Sequence, residues 1–189
     1  MRIQFPDGRA ADYEDGLSAY QIAESISPRL ARATLAAEID GKRADAFLPI
    51  NGDHELKLLT FGDEGGRAAF RHTASHMLAQ AVKRLHPEAK LAIGPAIENG
   101  FYYDFDVEAP FSPQDIGALE KEMAKIIKKN DRLERFELPR EEALALMREK
   151  EEPYKVELIN DLPEDAVISF YRQGDFIDLC AGPHLPSTG

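Results

Sequence analysis

The sequence predicts an α+β protein in two parts, and three observations carry that prediction. Over about the first sixty residues, short β-prone runs bracket one helical segment. A glycine-rich polar stretch, Phe61-Gly62-Asp63-Glu64-Gly65-Gly66, then interrupts the pattern. Beyond it, long amphipathic segments alternate with short β-prone ones, as expected of helices packed on an antiparallel sheet. The boundary falls in the glycine-rich stretch, giving domains 1–62 and 63–189. A chain of 189 residues, 43% of them hydrophobic, is long enough to build both cores.

In the first domain Arg2 to Phe5 reads as a strand, Pro6-Asp7-Gly8-Arg9 as a turn and Ala10 to Tyr13 as the returning strand. Ser18 has the chemistry of an N-cap, and the helix it opens runs to about Ile26, where Ser27-Pro28 closes it. Leu35 to Ile39, a turn over Asp40-Gly41-Lys42-Arg43, Ala46 to Pro49 and Glu55 to Thr60 complete the unit. Strands on either side of one helix in so short a span point to a small β-grasp (ubiquitin-like) domain. It holds no glycine-rich phosphate loop and no Ser/His/Asp set, so a docking or positioning role is expected of it.

The second domain opens on a helix predicted from Arg67 to His86. Phe70, Thr73, Ala74, Met77, Ala81 and Leu85 form its expected buried stripe, and His72 and His76 lie off that stripe on one common face. Lys90 to Pro95 reads as a strand ending in a turn. Asn99-Gly100 is a hairpin signal ahead of Phe101-Tyr102-Tyr103-Asp104-Phe105, whose alternation puts Phe101, Tyr103 and Phe105 on one face. Ser112-Pro113-Gln114-Asp115 caps a helix to about Lys129 that buries Ile116, Leu119, Met123, Ile126 and Ile127. Its other side carries Lys121, Lys125, Lys128, Lys129 and Arg132, either a phosphate-binding stripe or a solvated face balanced by Glu120, Glu122 and Asp131. Arg135 to Leu138 reads as a strand, Arg140 to Glu152 as a helix stopped by Pro153, and Val167 to Cys180 as a hairpin turning at Gln173-Gly174-Asp175.

The charge and apolar pattern narrow the function classes. A formal charge of −11 argues against indiscriminate phosphate binding, so any nucleic acid must meet a local basic patch. No apolar run is long enough to cross a bilayer, and the first residues lack a signal-peptide core, which predicts a cytoplasmic protein without membrane contact. Leu185-Pro186-Ser187-Thr188-Gly189 matches a sortase pattern by accident, since neither secretion signal nor apolar anchor accompanies it.

Two short segments carry the chemistry. His72-Thr-Ala-Ser-His76 presents two imidazoles one helical turn apart, and Cys180-Ala-Gly-Pro-His184 spaces the lone thiol and a third imidazole likewise on a loop. The hairpin alternation adds Asp178 to the face of Cys180. If these segments meet, the residues alone leave two chemistries open: proton transfer in a shared pocket, or a zinc site of His72, His76, Cys180 and His184.

Taken together, His72 to His76, Ala92-Ile93-Gly94-Pro95 with Asn99 to Asp104, Tyr154-Lys155, and Asp178 with Cys180 to His184 resemble the N-terminal half of the bacterial threonyl-tRNA synthetases. The first sixty residues resemble the TGS domain of that family and the remainder its editing domain. The resemblance implies hydrolysis of the ester of mischarged Ser-tRNA(Thr), with the tRNA(Thr) acceptor end carrying serine as partner. It implies no aminoacylation activity in this stretch, and an editing domain that continues past Gly189. Mapped by position, it implies His72, His76, Lys155, Asp178, Cys180 and His184 around the ester, with Tyr103 and the Gly94 backbone as pocket wall. On that mapping His72 handles water and the terminal ribose, Lys155 faces the developing oxyanion, and Asp178 holds the substrate ammonium or the lysine. No cofactor is obligatory for this type, although the alanyl relatives use a similar quartet for zinc. Two other readings remain: an acceptor-arm binding module without turnover, and a small zinc protein with a docking domain.

Overall fold

The computed structural model describes residues 1–189. The polypeptide forms two compact units, one of residues 1–73 with 182–186 and one of residues 74–181 with 187–189.

In the first unit, β1 (Arg2–Gln4) and β2 (Ala10–Asp12) form the opening hairpin. Helix α1 (Ala19–Ile26) follows, with Ser18 and Gln21 completing a reciprocal capping box. Ser27-Pro28 closes α1 after Ile26, as the sequence suggested, but helical structure resumes at once. Ser27 caps a further short helix, α2 (Pro28–Ala33), and Pro28 takes its first position, where a missing N–H costs nothing. Strands β3 (Ala36–Ile39) and β4 (Lys42–Ala44) are joined by Asp40 and Gly41, both at positive φ, the conformation a two-residue hairpin turn requires. This tight turn moves β4 ahead of the predicted Ala46 to Pro49. Strand β5 (His54–Leu59) runs parallel to β1 and antiparallel to β3, giving the sheet order β2-β1-β5-β3-β4. Ala19 and Ile22 of α1 pack with Ile3, Ala37 and Leu56 from that sheet, and this mixed sheet crossed by a helix is the β-grasp arrangement.

Helix α3 (Glu64–Leu85) carries the chain from the first unit into the second. Its buried positions differ from the apolar stripe the sequence suggested. Phe70 and Leu85 are exposed, whereas Ser75, His76, Ala79 and Gln80 are buried. The buried side of the helix is partly polar because it meets polar partners: Ser75 Oγ donates to the Gly94 carbonyl, and Gln80 exchanges hydrogen bonds with Gln173. Hydrophobicity therefore could not mark it.

The second unit continues with four very short strands. β6 (Lys90–Leu91) pairs with β9 (Phe105–Asp106), and β7 (Ala96–Ile97) pairs with β8 (Gly100–Phe101) across the Glu98-Asn99 turn. Helix α4 (Pro113–Lys129) has the predicted capping box of Ser112 and Asp115 and buries Leu119 and Ile126, while Ile116 and Ile127 lie exposed. Along its basic side Lys125 pairs with Glu122 and Lys129 with Asp131. Strand β10 (Leu133–Glu137) leads to α5 (Arg140–Glu149) and α6 (Pro153–Asp161). Helix α5 ends at Glu149, short of the predicted Glu152, with Lys150 as its cap and Glu151 at positive φ, and Pro153 instead opens α6, which sets Lys155 on the first turn of a new helix. The hairpin of β11 (Ser169–Gln173) and β12 (Phe176–Leu179) joins β10 in an antiparallel sheet ordered β10-β11-β12. Ala143 and Met147 of α5 and Ile159 of α6 pack with Phe170 of that sheet.

Candidate functional site

The predicted site residues fall into two constellations, one in each unit. In the first unit, α3 brings His72 and Thr73 to the C-terminal loop segment that carries Pro183 and His184. The His72 and His184 rings stack with centroids 4.1 Å apart and an interplanar angle of 28°. His72 Nδ1 lies 3.3 Å from the Pro183 carbonyl oxygen. A carbonyl can only accept, so Nδ1 carries the proton, and Nε2 is the basic nitrogen of the neutral ring. His184 is fully buried, its backbone N–H donates to Asp45 Oδ1 at 2.7 Å, and its Nδ1 hydrogen-bonds the Thr73 hydroxyl at 3.1 Å. Thr73 Oγ1 also accepts from the Leu185 N–H. The loop is thus tied to the helix on both sides of His184, and the two remote segments meet as the sequence suggested.

The second constellation is centred on Asp178, on β12. Tyr103 donates its phenolic hydrogen to Asp178 Oδ2 at 2.6 Å, and Lys155 Nζ pairs with Oδ1 at 2.7 Å. Lys155 also donates to the Tyr103 oxygen at 3.1 Å. Asp178 and Lys155 are 2% and 3% exposed in their side chains, so each charge depends on the other for the solvation that water would supply. His76 Nε2 stands 3.7 Å from Asp178 Oδ2, beyond hydrogen-bond reach. Burial is the main reason that the Tyr103 phenol is pushed well above its ordinary value, with the Asp178 carboxylate and its hydrogen bond adding to the shift. Tyr103 accordingly stays a neutral donor at any physiological pH. The ring of Tyr103 stacks on Phe105 at 4.9 Å, and Gly94 lies against it in the space that its missing side chain leaves.

Cys180 is half-buried just past β12. Its N–H donates to the Ser169 carbonyl and its own carbonyl accepts the Ser169 hydroxyl at 2.6 Å, so the end of the hairpin holds its backbone firmly. His72, His76 and His184 each offer a ring nitrogen and Cys180 its Sγ, the donor types zinc takes. Within each unit the structure therefore places His72 with His184, and Asp178 with Lys155, Tyr103 and His76. Three partners escaped the sequence reading. Asp45 gave no signal at all, Thr73 was taken for part of the buried stripe, and Ser75 stood between the two histidines without an assigned role.

Comparison with known proteins places both parts of the chain in families. The TGS domain family matches residues 1–60, and the family described as the threonyl and alanyl tRNA synthetase second additional domain matches residues 168–189. Over all 189 residues the chain is 62% identical to a threonine–tRNA ligase of Acetivibrio thermocellus. It is 59% identical over the same span to those of Clostridium tetani and Clostridium botulinum. In each case the chain spans about 30% of the relative's length.

Proposed function

From the whole-length likeness of this chain to the N-terminal region of bacterial threonyl-tRNA synthetases, we propose that it hydrolyses the ester of mischarged Ser-tRNA(Thr). The need for such a step is physical. A site selecting threonine gains only about 1–3 kcal/mol from the extra methyl, too little to exclude serine, so a second hydrolytic site must remove the error. Residues 1–62 act in this reading as the TGS module and residues 63–189 as the editing domain.

His72 and His76 sit one turn apart on a single helix, and Cys180 and His184 are four residues apart on one loop. We take each constellation as machinery for the ester, His72 with His184 for the attacking water and Lys155 with Asp178 and Tyr103 for the developing charge. The observation that carries the reading is the buried Lys155–Asp178–Tyr103 set, because an ion pair with a bridging phenol is costly to bury for packing alone. His72, its Nδ1 proton committed to Pro183, takes a proton from water through Nε2 as the water oxygen attacks the ester carbonyl. The resulting oxyanion collapses, the carbonyl–ribose oxygen bond breaks, and the proton passes to the departing ribose oxygen. Serine and a free tRNA terminus result. Lys155, oriented by Asp178 and Tyr103, is the cation of this neutral pair that faces the developing negative charge. Asp178 orients the lysine and phenol, and the Tyr103 wall limits the room beside the amino-acid side chain.

The donor set of His72, His76, Cys180 and His184 fits zinc in kind, and these four would hold it. A bound zinc would supply Lewis acidity and a water of lowered pKa. The steps above need only the residues named. Deacylation assays on Ser-tRNA(Thr) and Thr-tRNA(Thr) test the proposal: serine release well above the uncatalysed rate, with threonine spared, is expected. Binding of the charged tRNA without turnover would refute hydrolysis and leave an acceptor-arm binding module.

A further inference from the structure

We infer that Gly94 is a positioning residue: its lack of a side chain is what lets the Tyr103 ring reach Asp178 and Lys155. A Cβ built on Gly94 would lie 2.0 Å from Tyr103 Cδ2, 2.6 Å from Cε2 and 2.7 Å from Cγ, deep inside van der Waals contact. Such a clash is relieved only if the ring or the Gly94 backbone moves, and neither is at liberty to do so. The ring is 8% exposed and stacks on Phe105, and its hydroxyl is held at 2.6 Å from Asp178 and 3.1 Å from Lys155. On the other side, the Gly94 carbonyl accepts the hydroxyl of the fully buried Ser75 at 2.7 Å, which pins the loop to α3 one residue before His76. Gly94 is not among the glycines at positive φ, so the left-handed backbone that demands glycine is not its reason, and the three atoms nearest the added Cβ all belong to the Tyr103 ring. The glycine therefore serves as a seat for Tyr103 and acts on the ester through it rather than by touching the ester. Because this inference rests on the hydrolytic reading of the site, its test includes a readout that does not depend on hydrolysis.

That test compares the chain with Gly94→Ala, Tyr103→Ala and the double variant, each checked for folding by far-ultraviolet circular dichroism. The first readout is NMR. In the wild type the Gly94 Hα protons are shifted by the Tyr103 ring and show cross-relaxation with it, and in Gly94→Ala the Tyr103 ring resonances move. The second is serine release from Ser-tRNA(Thr). Gly94→Ala is expected to lower kcat/KM by about 10²-fold, the cost of displacing a catalytic group by ~1 Å. In the Tyr103→Ala background the ring is gone, and the added methyl changes kcat/KM about twofold or less, as expected when no contact is left to lose. If Gly94→Ala fails to fold while the double variant folds, the same collision is demonstrated by its relief. Unmoved Tyr103 resonances in Gly94→Ala overturn the inference, as does an equal loss in both backgrounds or failure of both variants to fold. Should the wild type release no serine, the hydrolytic reading falls, and the NMR comparison alone decides whether Gly94 seats the ring.

Discussion

The ion pair of Lys155 and Asp178 makes the sharpest energetic prediction. Lys155→Met keeps most of the side-chain volume and removes the charge, leaving the carboxylate of Asp178 at 2% exposure with the Tyr103 hydroxyl as its remaining close donor. Breaking a buried pair by removing one partner costs about 3–5 kcal/mol, because the orphaned charge has lost its solvation without regaining water. The Tyr103 hydrogen bond offsets part of this, which places the expected loss near the lower end, about 3 kcal/mol. Asp178→Asn should cost a similar amount, since it strands the ammonium. The double variant removes both charges, and the penalty for an uncompensated charge vanishes with them. Its loss should fall short of the sum of the single losses by about 2 kcal/mol or more, within the range measured for groups in direct contact. Urea unfolding followed by far-ultraviolet circular dichroism gives all four stabilities. At this chain length, each kcal/mol corresponds to about 2–4 °C in the thermal midpoint, so Lys155→Met should melt roughly 6–12 °C lower. Additive losses, or a Lys155→Met variant within about 1 kcal/mol of the wild type, would refute the view that these charges depend on each other.

Three further outcomes are expected. His72→Ala should lower the rate of serine release from Ser-tRNA(Thr) by about 10²–10⁴-fold, the usual contribution of a general base, and an undiminished rate would remove His72 from that role. In the first unit both ring nitrogens of His54 face acceptors, Asp40 Oδ2 at 2.6 Å and the Asn51 carbonyl at 3.0 Å, an arrangement only the doubly protonated ring satisfies. The Asp40 hydrogen bond raises the His54 pKa, and that bond, with the Glu55 N–H, lowers the Asp40 pKa. The histidine's contribution is complete below its ordinary pKa and lost as pH rises through its raised value. The aspartate's is present above its ordinary pKa and lost as pH falls through its lowered value. The stability difference between wild type and Asp40→Asn should therefore peak at mildly acidic pH and shrink above neutrality, and a thermal-midpoint difference flat from about pH 5 to 9 would contradict this. Finally, if the four donors hold zinc, protein purified without chelator or nickel should carry one equivalent by elemental analysis, and Cys180→Ser should lose it. A metal-free chain that still releases serine would rule out a zinc requirement.

Local chemistry made much of the fold legible. Ser18 with Gln21 and Ser112 with Asp115 stand three apart ahead of apolar periodicity and form the two capping boxes. Asp40-Gly41 forms the tight turn, and period-two alternation put Asp178 and Cys180 at the end of the last hairpin. Proline was the ambiguous sign. Ser27-Pro28 and Pro153 read as stops, yet the same missing N–H that ends one helix is tolerated at the start of the next, and both prolines open helices.

The site was legible in its residue types and illegible in its pairings. Four-residue spacing placed His72 beside His76 on one helix, but nothing local could show that Lys155, on a helix hidden behind a proline, reaches Asp178 on a strand of another element. Hydrophobic periodicity failed along α3 because that helix turns a polar side inward: Ser75 to the Gly94 carbonyl, His76 toward Asp178, Gln80 to Gln173. Each of these buried polar groups would cost free energy if left alone, so each implies a partner fixed to meet it. A helix that buries serine, histidine and glutamine while exposing phenylalanine and leucine is poorly explained by core packing. The same departure from the apolar pattern that defeated the helix-face prediction marks the stretch of α3 around which the proposed chemistry is assembled.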